Sequence, residues 1–214
     1  MKHKRLFLLL AVVLVFLTNM NKQNTYADVK CKHGYYTFKD YKLNGGVGNY
    51  GYTKRYFWVE DKLKKGIYIK AIRNAVEQWT YTSSKPGVTT PISIKETTSR
   101  TKSSFDFVNQ KLGYGVLGQT TFWRNEKQVK KKDNIIAENY GWTKIAIDIS
   151  EIKFEIYNVE ELDVRGIAAH ELGHAMGLAH KNFKPKSIMC QLGYGREVTR
   201  AQKEDLNTIN HLYK

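Results

Sequence analysis

Apolar and polar positions change their spacing several times along this chain. Over residues 66–82, Ile72, Ala75, Val76 and Trp79 fall at i, i+3, i+4 and i+7, a stripe that predicts an amphipathic helix. Residues 50–58, rich in tyrosine, phenylalanine and tryptophan, predict a strand. Residues 92–95 alternate and predict a short strand, followed by a polar loop over 97–113. Two further strands are predicted over 116–123 and 144–149. A second long helix is predicted to open at Asn158, with Glu161 in the capping-box place, and to run to about Met176. A last helix is predicted to open at Thr199 with Gln202 as its box partner and a stripe of Leu206, Ile209 and Leu212 or Tyr213. The order is strand, helix, three strands, helix, loop, helix. It predicts an α/β domain with one mixed sheet and a mostly irregular lower part.

The N-terminus departs from this pattern. Met1-Lys2-His3-Lys4-Arg5 precedes an unbroken apolar run over residues 6–17, and a small residue, Ala27, follows a polar stretch. A basic start, a short apolar segment and a small residue at a plausible cut predict a secretory signal peptide over residues 1–27. An uncleaved anchor is the other reading, although the run is short for a bilayer span. The rest makes one domain of ordinary size, expected as a monomer outside the cell.

Charge narrows the choice of partners without naming one. The chain carries +15, and residues 28–214 keep +11, because the leading segment holds Lys2, Lys4, Arg5 and Lys22 and no acid. A field of that sign attracts anionic partners, with cell-surface polymers as candidates, and also serves simply as a solvated surface. The lysine clusters at 62–65 and 130–132 are not set in any nucleic-acid-binding motif, so no specific nucleic-acid partner is expected. Cys31 and Cys190 are the two cysteines. In an exported chain they form a candidate disulfide; the rival reading has the Cys31 thiolate as a metal ligand that blocks the site.

The chemistry sits at His170-Glu171-Leu172-Gly173-His174-Ala175-Met176-Gly177-Leu178-Ala179-His180. His170 and His174, four apart on a helix, share a face and can hold one metal ion. Glu171 is placed to act as general base on a water at that metal. Gly177 suits a left-handed helix end, after which the chain turns back and His180 becomes the third ligand. Three protein ligands leave a position open, which marks a catalytic zinc site rather than a structural one. By composition this extended pattern arises by chance in roughly one such chain in a hundred thousand.

These residues resemble the metzincin zinc metalloproteases, and most of all the matrixin catalytic domain. Ser187-Ile188-Met189-Cys190, nine residues past His180, resembles the Met-turn, whose methionine (here Met189) lies beneath the three histidines. Gly115-Val116-Leu117-Gly118-Gln119-Thr120 resembles the strand at the upper rim of the cleft, and Asp205-Leu206-Asn207-Thr208-Ile209-Asn210-His211-Leu212-Tyr213 resembles the closing helix. The resemblance implies a metzincin-like fold over residues 35–214, with a mixed twisted sheet, two long helices and a small lower subdomain. It also implies a secreted, zinc-dependent endopeptidase of extended protein substrates. Substrate would pair with Val116, Leu117, Gly118, Gln119 and Thr120, while Gly166, four before His170, implies a deep pocket for a long apolar side chain. Tyr194 is either an oxyanion donor or a packed tyrosine.

Departures from the family matter as well. Residues 97–115 contain no histidine, so the family's second, structural zinc is not expected; a calcium site would have to use Asp106. Lys181 stands where a serine is usual, and no cysteine-switch motif is present, leaving the short segment 28–34 as the candidate latency peptide. Two other functions stay open: a cationic surface-binding protein that keeps the fold with little activity, and a hydrolase of a non-peptide amide.

Overall fold

A computed structural model describes residues 34–132 and 135–214. The expected signal peptide, nearly all of segment 28–34, and Cys31 lie outside the described residues.

Among the described residues, eight strands and four α-helices follow the turn Asn49–Gly51. They are β1 (Arg55–Val59), α1 (Gly66–Thr80), β2 (Ile94–Glu96), β3 (Phe105–Asn109), β4 (Gly118–Arg124), β5 (Lys127–Gln128), β6 (Lys131–Lys132), β7 (Ile135–Ile136), β8 (Trp142–Ile147), α2 (Ile149–Glu155), α3 (Glu161–Ala175) and α4 (Lys203–Tyr213). The main sheet has the order β2-β1-β3-β8-β4-β5. β2, β1, β3 and β8 are parallel, and β4 turns antiparallel against β8. β6 and β7 pair separately. This is the mixed sheet with two long helices that the sequence predicts, an α/β metzincin-like domain.

α1 packs its apolar face against α3. The stripe Ile72, Ala75, Val76 and Trp79 of α1 is buried, and Trp79 Nε1 donates to the Ala169 carbonyl of α3 at 3.0 Å. From Gly166 to Ala175 every residue of α3 is buried. A helix covered on all sides sits inside the core instead of lying across it, which holds its side chains rigidly.

Several predicted boundaries shift. The strand expected over 50–58 starts at Arg55, because Asn49–Gly51 forms a 3-10 turn with Tyr50 in the left-handed region at φ 57°. The polar loop expected over 97–113 contains β3, which lies between β1 and β8. Phe105, Asp106 and Phe107 are all buried there, and the Asp106 charge is balanced by Arg100 Nε at 2.8 Å. Asp106 is therefore an ion-pair partner, and among the described residues no three acids gather around it. α2 is an additional helix, capped by Asp148, whose Oδ1 accepts from Ser150 N and Glu151 N. α3 opens two residues later than expected: Glu160 is its cap, reciprocated by Asp163, while Asn158 sits at φ 53°. The last helix likewise starts after Gln202, boxed with Asp205, because the Thr199 hydroxyl accepts from Arg165 Nη2 at 2.8 Å.

Candidate metal centre

The C-terminal end of α3 builds the site through its own termination. Gly177 follows the cap Met176 at φ 99°, donating to the His174 carbonyl at 2.8 Å, and Leu178 N donates to the Gly173 carbonyl at 3.1 Å. These two bonds form a Schellman ending, which needs a residue tolerant of positive φ. A Cβ at Gly177 would also lie 3.0 Å from both Leu212 Cδ1 and the Tyr41 carbonyl oxygen. The turn places the Leu178 carbonyl 2.7 Å from His174 Nδ1 and brings His180 back over the helix. Residues 36–38 brace this returning segment: Ala179 N donates to Tyr36 O, and Phe38 N to Gly177 O.

Three imidazoles converge as a result. Nε2 of His170 lies 3.1 Å from that of His174 and 3.2 Å from that of His180, and the last two are 2.9 Å apart. Tetrahedral nitrogen ligands about 2.0–2.1 Å from zinc are spaced by about 3.3 Å, so the donor set fits that ion closely. Protonation fits too. His170 Nδ1 lies 2.7 Å from the Ile188 carbonyl, and carbonyl oxygens only accept. Nδ1 of both His170 and His174 therefore carries the hydrogen, leaving each Nε2 lone pair facing the centre. Burial, reinforced by His174, Arg196 and His180, holds the His170 pKa well below its ordinary value, so the ring is neutral.

The floor is made by the turn at residues 187–190. Met189 is buried, and a Cβ on Gly173, between the two helical histidines, would lie 2.4 Å from its sulfur. Asp205 anchors the turn, accepting from Ser187 Oγ at 2.5 Å and from Ile188 N at 3.1 Å, while also accepting from Gln202 N at 2.8 Å. Gly173→Ala should therefore cost about 1–3 kcal/mol through overpacking against Met189. A thermal melt within a degree or two of wild type would show that Met189 does not press on this helix.

Glu171 faces the rim strand. Thr120 Oγ1 lies 2.8 Å from its Oε2 and 2.9 Å from its main-chain carbonyl. A Cβ at Gly118 would meet Glu171 Cγ at 2.8 Å, so this glycine makes room for the carboxylate. Gln119 and Thr121 alternate to the other face of β4. The Thr120 side chain thus points inward, and only its main chain is offered to a partner. Val116 and Leu117 precede the strand and are partly buried.

Gly166, where a deep apolar pocket is expected, lies against Arg196 and Thr199. Its space is already taken: a Cβ there would lie 3.3 Å from both Arg196 Nη2 and Thr199 Cγ2. A cavity of about 170 Å³ remains, lined by Gly166, Arg196, Thr199, Leu192 and Val198, with Asp163 and Glu197 also on its wall. Burial lowers the Arg196 pKa to about 10, with Glu171 and Cys190 acting in the opposite direction. Tyr194 is 44% exposed, so it is not a packed core residue. Cys190 is buried with its sulfur 3.6 Å from the Asn182 carbonyl oxygen, and its suggested partner Cys31 is outside the described residues.

Arg196 is marked by no spacing in the sequence, and Thr120 is expected only as a substrate-pairing residue of the rim strand, not as a partner of Glu171. Asp205 has a legible signal, as the acid three residues after Gln202.

A family model described as Matrixin matches residues 60–214. No curated protein matches the chain in sequence.

Proposed function

The chain belongs to the matrixin family of zinc metalloproteases, and from that premise we propose that it is a secreted endopeptidase acting on extended protein substrates, with His170, His174 and His180 as zinc ligands and Glu171 as general base. One observation carries this reading: three imidazoles converge beside a carboxylate that a buried threonine holds in place. The basic and apolar N-terminal segment supports export.

Zinc in this site supplies Lewis acidity, polarising a carbonyl and making a water easier to deprotonate. The remaining work falls to the chain. Glu171 takes a proton from the attacking water and delivers it to the departing amine. Thr120 keeps the carboxylate turned toward the centre. Among the described residues, β4 pairs only with β8 from Gly118 to Thr121; β5 reaches Trp123 and Arg124, and the Phe122 carbonyl accepts from Val129 N at 2.8 Å. That leaves an open edge where an extended substrate can add as a further strand, binding largely through main-chain hydrogen bonds.

The zinc-loaded full chain should cleave an unstructured protein, lose activity to a chelator and regain it with added zinc. Cleavage indifferent to chelation, or none with zinc bound, would count against the reading. Thr120→Val should lower kcat by about tenfold through misdirection of the base, with Thr120→Ser recovering most of it. Equal rates for wild type and Thr120→Val would remove the hydroxyl from the mechanism.

Arg196 gives the subsite beside Gly166 a cation. Among the described residues it has no ion-pair partner. A partly buried guanidinium that no carboxylate reaches within ion-pair distance favours a ligand carboxylate, even with Asp163 and Glu197 on the same wall. A peptide library should show Asp or Glu enriched by about tenfold next to the scissile bond, and Arg196→Leu should erase that preference. A wild-type profile favouring long apolar residues would refute this assignment.

A further inference from the structure

A second concave site lies at the carboxyl ends of the parallel strands. A cavity of about 500 Å³ is lined by Lys62, Lys65, Lys111, Lys153, Asn109 and Asp148 among others. Lys62 and Lys65 follow β1, Lys111 follows β3, and Lys153 belongs to α2 after β8. After β1 the chain crosses to β2 on one side, and after β3 it crosses to β4, beyond β8, on the other. The chain therefore leaves β1 and β3 in opposite directions, and the crevice outside a switch of this kind is where open α/β sheets bind ligands.

The charge there is unbalanced. All four lysines are exposed, and among the described residues none has an ion-pair partner. Nearby Asp61 is taken by Lys64 at 2.8 Å. Asp148 is the one acid on the wall, and both its oxygens are engaged: Oδ1 accepts from Ser150 and Glu151, Oδ2 from Leu112 N at 2.7 Å. Four like charges around one cavity repel each other unless an anion joins them. Lysines are compact charges on flexible stems, without the fork that selects planar carboxylates. They suit tetrahedral oxyanions carried in several copies.

We propose that this crevice binds a multiply charged oxyanion, phosphate or sulfate, at a site separate from the metal centre. The idea goes beyond proteolysis and does not depend on it.

The test is calorimetric titration of the zinc-loaded full chain with inorganic tripolyphosphate and, separately, with sucrose octasulfate. One variant carries Lys62→Gln, Lys65→Gln, Lys111→Gln and Lys153→Gln. A control carries Lys85→Gln, Lys95→Gln, Lys127→Gln and Lys203→Gln, four exposed positions away from the cavity wall with the same change in net charge. Wild type should bind one equivalent of at least one probe, and which probe binds tells phosphate from sulfate. The cavity variant should lose about tenfold or more in affinity and the control about twofold or less. Absence of binding by wild type, or equal losses in the two variants, would overturn the proposal. Peptide hydrolysis by the cavity variant should match wild type, which separates a failure here from a failure of the protease reading.

Discussion

Replacing Glu171 by alanine should lower peptide hydrolysis by about 10³-fold while zinc content stays at one per chain. The side chain contributes nothing to the convergence of Nε2 atoms 2.9 to 3.2 Å apart, so the metal stays. What disappears is the acceptor for the water's proton and its return to the leaving amine. Glu171→Gln is the more searching variant. It keeps the volume between Gly118 and Thr120 and removes the basicity, so a loss as large as that of alanine assigns the effect to proton transfer instead of packing. If either variant kept more than a tenth of wild-type turnover, another group would have to be the base.

Asp205→Ala should be the most damaging change away from the zinc ligands and Glu171. It strands the Ser187 hydroxyl and the main-chain N–H groups of Ile188 and Gln202, all of which now donate to one buried carboxylate. Unsatisfied buried donors cost about 1–3 kcal/mol each, and partial relaxation brings the expected total to about 3–4 kcal/mol. For a chain of this size that is a fall in Tm of about 10 °C. Because the same carboxylate anchors the turn carrying Ile188 and Met189, the variant should also bind zinc more weakly. A Tm within 2 °C of wild type would show that the turn does not depend on Asp205. Burial raises the Asp205 pKa, against the lowering effect of bonds from Ser187, Gln202 and Ile188. A raised folded-state value means that its contribution is full below the unfolded value, near 3.8, and is lost as pH rises through the folded one. The Tm advantage of wild type over Asp205→Asn should therefore shrink between pH 4 and neutrality. An advantage that grew with pH would contradict the raised value.

Helix α1 was legible because its apolar stripe is interrupted by polar residues at the helical period. α3 carries no such contrast, being buried all round, and was found through its histidines. The starts of α3 and α4 are not legible because Asn158 and Thr199 look like caps, whereas the cap roles fall to Glu160 and Gln202, whose acid partners lie three residues on. β3 was hidden by Asp106, a charge that reads as solvent-facing until Arg100 is seen beside it.

By itself, the sequence determined the histidine spacing, the place of Glu171 beside it, the left-handed glycine and the general order of elements, because each follows from local geometry over at most a few turns of chain. Only the tertiary structure decided what stands next to what. Thr120 meets Glu171 across 51 positions, and Asp205 meets Ser187 across 18. The cavity beside Gly166 gains a cation on its wall from Arg196, thirty positions later. Such contacts depend on how separate elements pack in three dimensions, and no local spacing records them.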